Sequence, residues 1–497
     1  MNVGKYKLDS EQEACVKDES KNLLVVAGAG SGKTLTILGK ILFLVHEKHI
    51  KPNEILCISF TNAASNSLKE KIKTELNIDM NVYTFHKLAL EILKNENYEI
   101  APTDSLETII EELFNYDYNK KESTLYKYLN IKSNKEFKNT DTKALKALIA
   151  KFIRLFKANN YKLDKFIEFH KTINNPVNIL HYKKEKLFLI LVINTLLNYN
   201  KYLEINRFID FDDMLSLSKK YVDKYGVINK YKYIIIDEFQ DTSNVRFDLI
   251  KSIINKTNAK LMVVGDDFQS IYRFNGCDLD LFINFNKIFK NSKTLKIQKT
   301  YRNSNELITI AGNFIMKNKD QIKKELKSDK HIDNPINIIY TKNNINSLIE
   351  SIYNENHGKI LLLGRNNLDI KKYVNKYLVI NKDKLIYTKN KDIDITFMSI
   401  HKSKGLEYDN VIILNNIDDK LGFPNQIIDN RILRLVSSKS KYPFDEERRL
   451  FYVALTRTKN KVYLITEKGK ESIFIKELNK NHKIKIGYKP IYKNLKD

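Results

Sequence analysis

A chain of 497 residues, 42% hydrophobic and 29% charged, is too long for one hydrophobic core and too apolar to stay unfolded, so a single small domain and a disordered tail are both excluded. Its 85 Lys and Arg against 60 Asp and Glu leave a formal charge of +25, which favours a polyanionic partner such as nucleic acid, although the abundance of Lys, Asn and Ile reads equally as genomic bias. Three scattered cysteines, Cys15, Cys57 and Cys277, lack the spacing of a disulfide framework or zinc site, and no apolar run approaches a membrane span; a reducing cytoplasm and no membrane partner are expected.

Short aliphatic runs predict strands over 23–27, 55–60, 233–236 and 261–265, and again over 360–363, 396–400, 411–414 and 462–466. Alternation with longer helical stretches reads as βαβ units around two parallel sheets. From about Lys94 to Arg207 the pattern changes to Lys, Leu, Ile, Phe and Tyr at helical spacing with almost no Gly or Pro, which predicts a helical insertion in the first α/β unit. The Lys-rich stretch from Lys317 to Asn334 and the Asn-, Lys- and Asp-rich stretch from Asn366 to Asp394 are expected to be surface excursions.

After the first strand comes Ala27-Gly28-Ala29-Gly30-Ser31-Gly32-Lys33-Thr34, then an aliphatic helix. Strand, glycine loop and helix in that order suit a phosphate cradle. Small residues let backbone N–H groups curl around a phosphate, Lys33 reaches its outer oxygens, and Thr34 can hold Mg²⁺. Ala27 replaces the first glycine of the general pattern. Tyr233-Ile234-Ile235-Ile236-Asp237-Glu238 supplies the complementary acids: Asp237 for the metal, Glu238 to orient and deprotonate the attacking water. Together these predict hydrolysis of a nucleoside triphosphate with Mg²⁺ bound.

The acids continue as Phe239-Gln240-Asp241-Thr242, and Gly265-Asp266-Asp267-Phe268-Gln269-Ser270-Ile271-Tyr272-Arg273-Phe274 follows. Here the chain resembles the UvrD/Rep family of superfamily 1 helicases. Leu8 to Gln12 resembles the family's adenine-reading motif, Ile58 to Asn62 and Tyr83 to His86 its early DNA motifs, and Thr300 to Ser304 its motif IV. Ser399 to Glu407 resembles motif V, and Glu446 to Leu450 with Val453 to Arg457 motif VI.

The resemblance implies two RecA-like P-loop motor domains, parallel sheets with flanking helices: 1A over 1–93 and 208–295, a helical 1B over 94–207, and 2A over 296–497. It also implies residue roles. Gln12 would read adenine, Tyr301 would stack on it and Glu407 would touch the ribose, while Gln269 would sense the γ-phosphate. Arg302 and Arg457 would reach the phosphoryl group from the second domain. Phe60, Tyr272 and Phe274 would stack single-strand bases, with Asn62, Thr84, His86, Arg365 and His401 adding polar contacts.

Three departures stand out: Leu35 replaces a frequent Arg, Asn275 a frequent basic residue, and Ser399 a Thr. The short span from Tyr301 to His401 leaves little room for the 2B domain of larger members. Together with Gly422-Phe423-Pro424 it makes the helicase IV-like branch the nearest likeness, without that branch's amino-terminal extension.

The expected function is an ATP-dependent helicase and translocase moving 3′ to 5′ on single-stranded DNA and at junctions with duplex, in replication, repair or recombination. Self-association or an accessory protein is implied for unwinding. The alternatives are a translocase that displaces proteins without efficient unwinding, and a non-catalytic single-strand binding module.

Overall fold

The computed structural model describes the chain apart from residues 119, 121–122, 174–178, 228, 383, 438–441, 483–484 and 488–497. Two six-stranded sheets, each parallel throughout, organise it. In the first, β1 (Asn22–Ala27), β2 (Ile55–Ile58), β3 (Val82–Tyr83), β4 (Tyr233–Ile236), β5 (Lys260–Gly265) and β6 (Ser292–Ile297) lie in the order β6-β1-β5-β4-β2-β3. In the second, β7 (Ile336–Tyr340), β8 (Ile360–Gly364), β9 (Ile395–Ser399), β10 (Asn410–Ile413), β11 (Val462–Thr466) and β12 (Lys485–Gly487) lie in the order β9-β8-β10-β11-β7-β12.

Successive strand side chains point to opposite faces, so a sheet covered by helices on both sides needs continuous apolar runs. Leu24, Val26, Ile234 and Ile236 enter the core on one face of the first sheet, and Leu23, Val25, Tyr233 and Ile235 the core on the other. The second sheet divides in the same way, with Leu361, Leu363, Val411 and Ile413 against Ile360, Leu362 and Ile412. Both architectures are therefore helix, sheet, helix.

In such open sheets ligands gather outside the carboxyl ends of the strands. β1 runs into the glycine loop, β4 into Asp237 and Glu238, and β5 into Asp266. The edge strand β6 leads straight to Thr300, Tyr301 and Arg302, placing those residues at the same rim.

The insertion is helical as expected. Its longer helices are α1 (Ser105–Tyr118), α2 (Lys143–Ala158), α3 (Lys165–Ile173) and α4 (Ile179–Asn206). Glu99–Ile100 pairs with Phe208–Ile209 where the chain leaves and rejoins the first unit. Phe152, Phe156, Phe166, Phe169 and Phe188 form its centre, packed mainly at tilted or edge-on angles. Ile432, Leu433, Leu435 and Val436, from far along the chain, complete that core.

Two expectations need correction. The stretch from Lys317 to Asn334 is no surface excursion: Leu326 packs in the core of the second unit and Gln321 is buried. The Lys324 side chain is fully buried, its ammonium 2.5 Å from both Asp266 and Asp267. Two acids at the end of β5 draw the lysine inward, which a lysine-rich composition hides. From Asn366 to Asp394 the chain also turns inward, as Ile370, Tyr373, Leu378, Leu385 and Tyr387 pack in the core through the hairpin Leu378–Asn381/Lys384–Tyr387. Among the described residues, no helix is long and apolar enough to cross a membrane.

Candidate nucleotide seam and strand path

The glycine loop bends through two left-handed residues, Gly30 at φ +69° and Gly32 at φ +79°, a conformation that strains other side chains. Close approach adds a second reason for glycine. A Cβ on Gly32 would stand 2.5 Å from Gln12 Nε2, and one on Gly30 2.6 Å from Arg302 Cβ. Gln12 itself is buried and donates to the Ser31 carbonyl at 3.0 Å. Lys33 begins the following helix, Lys33–Leu42, and its ammonium donates to Glu238 Oε1 at 2.8 Å.

Glu238 adopts φ +51°, a left-handed conformation uncommon for a residue with a Cβ, of the kind that costs about 1–3 kcal/mol and gathers at functional sites. Burial works against its charge, but Lys33 and Lys404 outweigh it and hold the carboxyl down to about 2. Asp237 is pushed up to about 7 by burial and by Glu238 beside it. Among the described residues Asp237 has no ion-pair partner; its Oδ1 accepts from the Glu238 N–H at 2.9 Å. A partly buried carboxylate with no ion pair of its own is an oxygen ligand of the kind a divalent ion takes together with phosphate and water oxygens.

The second half of the chain closes this rim. The Tyr301 N–H donates to the Gly30 carbonyl at 2.9 Å, and its hydroxyl reaches Asp9 at 2.6 Å. The exposed Tyr301 ring and the capping box of Asp9 and Gln12 thus flank the loop. Arg302 donates to Glu407 at 2.9 Å, so the two expected nucleotide contacts are an ion pair. Arg457 is 1% exposed and donates to Gln269 Oε1 at 3.0 Å; Gln269 in turn donates to Asp266 at 2.6 Å. Burial and Arg302 lower Arg457 to about 9, which leaves it cationic at neutral pH.

On the other side of motif III lies an aromatic path. Phe60 and Tyr272 stack at 5.7 Å and 14°, Phe274 stands edge-on to Tyr272 at 6.0 Å, and His401 is edge-on to Phe274 at 5.5 Å. The Tyr272 hydroxyl donates to the His401 carbonyl at 3.2 Å. Burial, aided by Arg365 and Lys404, lowers His401 to about 4, and burial with Arg246 does the same to His86. At those values both rings are neutral at physiological pH. Thr84 caps the helix Phe85–Ile92, its hydroxyl accepting from Lys87 N–H at 3.3 Å, while Asn62 opens the helix Asn62–Leu76, exposed. The Arg365 guanidinium forks onto Glu447 at 2.7–3.0 Å, beside rather than within the stack.

The pattern described as the UvrD/REP helicase N-terminal domain matches residues 8–290, and that of the UvrD-like helicase C-terminal domain residues 368–469. The first match alone takes in more than half of the chain. The chain belongs to the UvrD/REP helicase family.

DNA helicase IV of Escherichia coli (strain K12) is 28% identical, over 97% of this chain and 71% of that protein. A probable DNA helicase II homolog of Mycoplasma capricolum is 31% identical over 64% of this chain and 42% of its own length. An ATP-dependent DNA helicase Rep of Buchnera aphidicola subsp. Schizaphis graminum is 30% identical over 65% and 46%. The matches to the last two thus span less than half of those relatives.

Sequence reasoning passed over several residues that tie this UvrD/REP chain's seam to its aromatic path. Gln240 is buried; its amide donates to Glu238 and its carbonyl accepts from the Asp266 N–H at 3.0 Å. Lys404 pairs with Asp241, donates to the Gln269 carbonyl at 2.7 Å and lies 5.1 Å over the Tyr272 ring. Arg449 donates to the Ser270 carbonyl at 2.7 Å, and Arg273 pairs with Glu446 at 3.2 Å. All four sit inside motifs that the sequence displays. Their polarity in aliphatic or aromatic surroundings was the available signal.

Proposed function

We propose that this chain is an ATP-driven motor on DNA that translocates 3′ to 5′ along a single strand and acts at junctions with duplex during replication, repair or recombination, with self-association or an accessory protein aiding unwinding. The observation that carries it is the segment from Gln269 to Phe274. At one end Gln269 holds Arg457 at the nucleotide rim, and at the other Tyr272 and Phe274 form the aromatic path. A change at the γ-phosphate therefore reaches the strand path within six residues, through hydrogen bonds from Lys404 and Arg449 on the second half. Relatives named as DNA helicases support DNA as the track and ATP as the fuel.

In this reading Gly28 to Thr34 cradle the phosphates, Gln12 and Tyr301 hold the base, and Glu238 takes a proton from the attacking water. Thr34 and Asp237 would hold Mg²⁺, which offsets phosphate charge when bound. Once nucleotide separates Lys33 from Glu238, the carboxylate is free to act as a base. Arg302 and Arg457 come from the second half, so ATP draws the halves together and product release lets them part.

Steady-state ATP hydrolysis with and without single-stranded DNA tests the reading. Strong stimulation, lost in Lys33→Ala and in Glu238→Gln, is the expected result; turnover indifferent to DNA would sink it. On the strand side, Tyr272→Ala and Phe274→Ala should each weaken single-strand affinity by about 1–3 kcal/mol, roughly 5- to 150-fold, in fluorescence-anisotropy titrations at fixed salt. Because His86 and His401 are already neutral, that affinity should not gain a histidine-dependent component between pH 6 and 8.

A further inference from the structure

Residues 429–436 belong to the second half of the chain, yet they pack on the helical insertion of the first. Ile432, Leu433, Leu435 and Val436 are buried in the insertion's core. The Asn159 side-chain amide donates to the Val436 carbonyl at 2.8 Å. Arg434 forks onto Glu185 at 2.9 and 3.0 Å, and Lys151 pairs with Asp429 at 2.6 Å. This bridge borders a cavity of about 410 Å³, within the roughly 300–1,000 Å³ range of ligand sites. Arg273 and Phe274 line it from the aromatic path, Lys151 and Leu155 from the insertion, and Arg431 and Arg434 from the bridge.

We propose that this cavity is a further single-strand site and that the bridge over 429–436 closes it, so that a strand gripped at Tyr272 and Phe274 is encircled by the insertion and the second half. The inference rests on the DNA-motor reading. Three observations support it. The cavity shares Phe274 with the aromatic path, so a strand leaving that ring enters it. Four cations line it, each already ion-paired, Lys151 with Asp429, Arg273 with Asp445 and Glu446, and Arg431 and Arg434 with Glu185, so a phosphodiester unit would enter by exchanging with those carboxylates. The bridge is anchored by apolar side chains as well as ion pairs. Salt screens exposed pairs but not buried aliphatic contacts, so closure outlasts the electrostatic grip.

Encirclement makes a topological prediction. Cys15, Cys57 and Cys277 are buried, so a short bismaleimide directed at Lys151→Cys with Asp429→Cys reaches the engineered pair selectively. Should that variant fail to fold, Glu185→Cys with Arg431→Cys spans the same bridge. Protein loaded on single-stranded DNA, cross-linked and washed at about 1 M salt, where the screening length is about 3 Å, should stay on circles and slide off linear strands. Protein cross-linked before loading should accept linear strands and refuse circles. Equal release from circles and linear strands, or binding of circles by protein cross-linked beforehand, would overturn the proposal. Failure of the uncross-linked wild type to bind single strands at all would overturn the motor reading with it.

Discussion

Arg302→Ala and Arg457→Ala are each expected to lower kcat for DNA-stimulated ATP hydrolysis by about 10³- to 10⁵-fold, while KM for ATP moves far less. At about 1.36 kcal/mol per factor of ten, this corresponds to roughly 4–7 kcal/mol of transition-state stabilisation. The asymmetry follows from placement. In the proposed reading Gln12, Tyr301 and the loop backbone would meet the parts of the nucleotide that do not change during the reaction, and so would set ground-state binding. Arg302 stands against Gly30, and Arg457 is held by Gln269 at the strand end that carries Asp266. Charge there matters most while it spreads over the phosphoryl oxygens, in a site where burial makes it effective. Single-turnover hydrolysis beside nucleotide titration separates the two parameters. A rise confined to KM, with kcat preserved, would place the arginines in binding rather than in catalysis.

Folding must be checked alongside, because the two arginines carry different structural loads. The Arg457 guanidinium also donates to the carbonyls of Val453 at 3.0 Å and Leu406 at 3.1 Å, so its loss leaves buried acceptors unpaired. Arg302 binds Glu407 and the Thr456 carbonyl nearer to solvent. The Arg302 variant is therefore the cleaner kinetic probe. Arg457→Lys, which keeps the charge but loses the fork, shows how much of the effect is geometry.

Parts of this molecule were legible in the sequence because chemistry restricts the residues that can do the work. A loop that curls around phosphate needs Gly30 and Gly32, and the aliphatic run ending in Asp237-Glu238 announces both a buried strand and its active rim. The two edge strands of the first sheet, Val82–Tyr83 and Ser292–Ile297, were not legible. Ser292–Ile297 opens on three polar residues, Ser292, Lys293 and Thr294, and carries Lys296 further on, because this edge strand is largely open to solvent, and so it lacks the unbroken aliphatic run of a central strand. Spacing cannot show which bonds a polar residue has already made either. Thr84 and Arg365 look like strand contacts in a motif, but in the fold one hydroxyl caps a helix and one guanidinium is forked onto Glu447. The bridge at 429–436 was hidden for another reason: its apolar residues pack against partners more than two hundred positions away.

Lys324→Met is expected to cost about 3–5 kcal/mol of folding stability, although Lys324 lies in a lysine-rich stretch and touches no expected site residue of the nucleotide seam. Its ammonium is fully buried between Asp266 and Asp267, 2.5 Å from each, and 3.6 Å over the Phe268 ring. Methionine matches the length but leaves the two buried carboxylates without the cation paired to both. The pH dependence identifies the cause. Burial already raises the Asp267 pKa even with Lys324 opposing it. Without the lysine the folded pKa of Asp267 stands further above its unfolded one, so the folded state binds more protons and the variant loses stability as pH rises through the carboxylate range. The deficit against wild type should thus be largest near neutral pH and shrink towards pH 4, in urea titrations at matched ionic strength. Lys324→Met combined with Asp267→Asn should recover part of the loss. A deficit independent of pH would instead make packing around Phe268 its source.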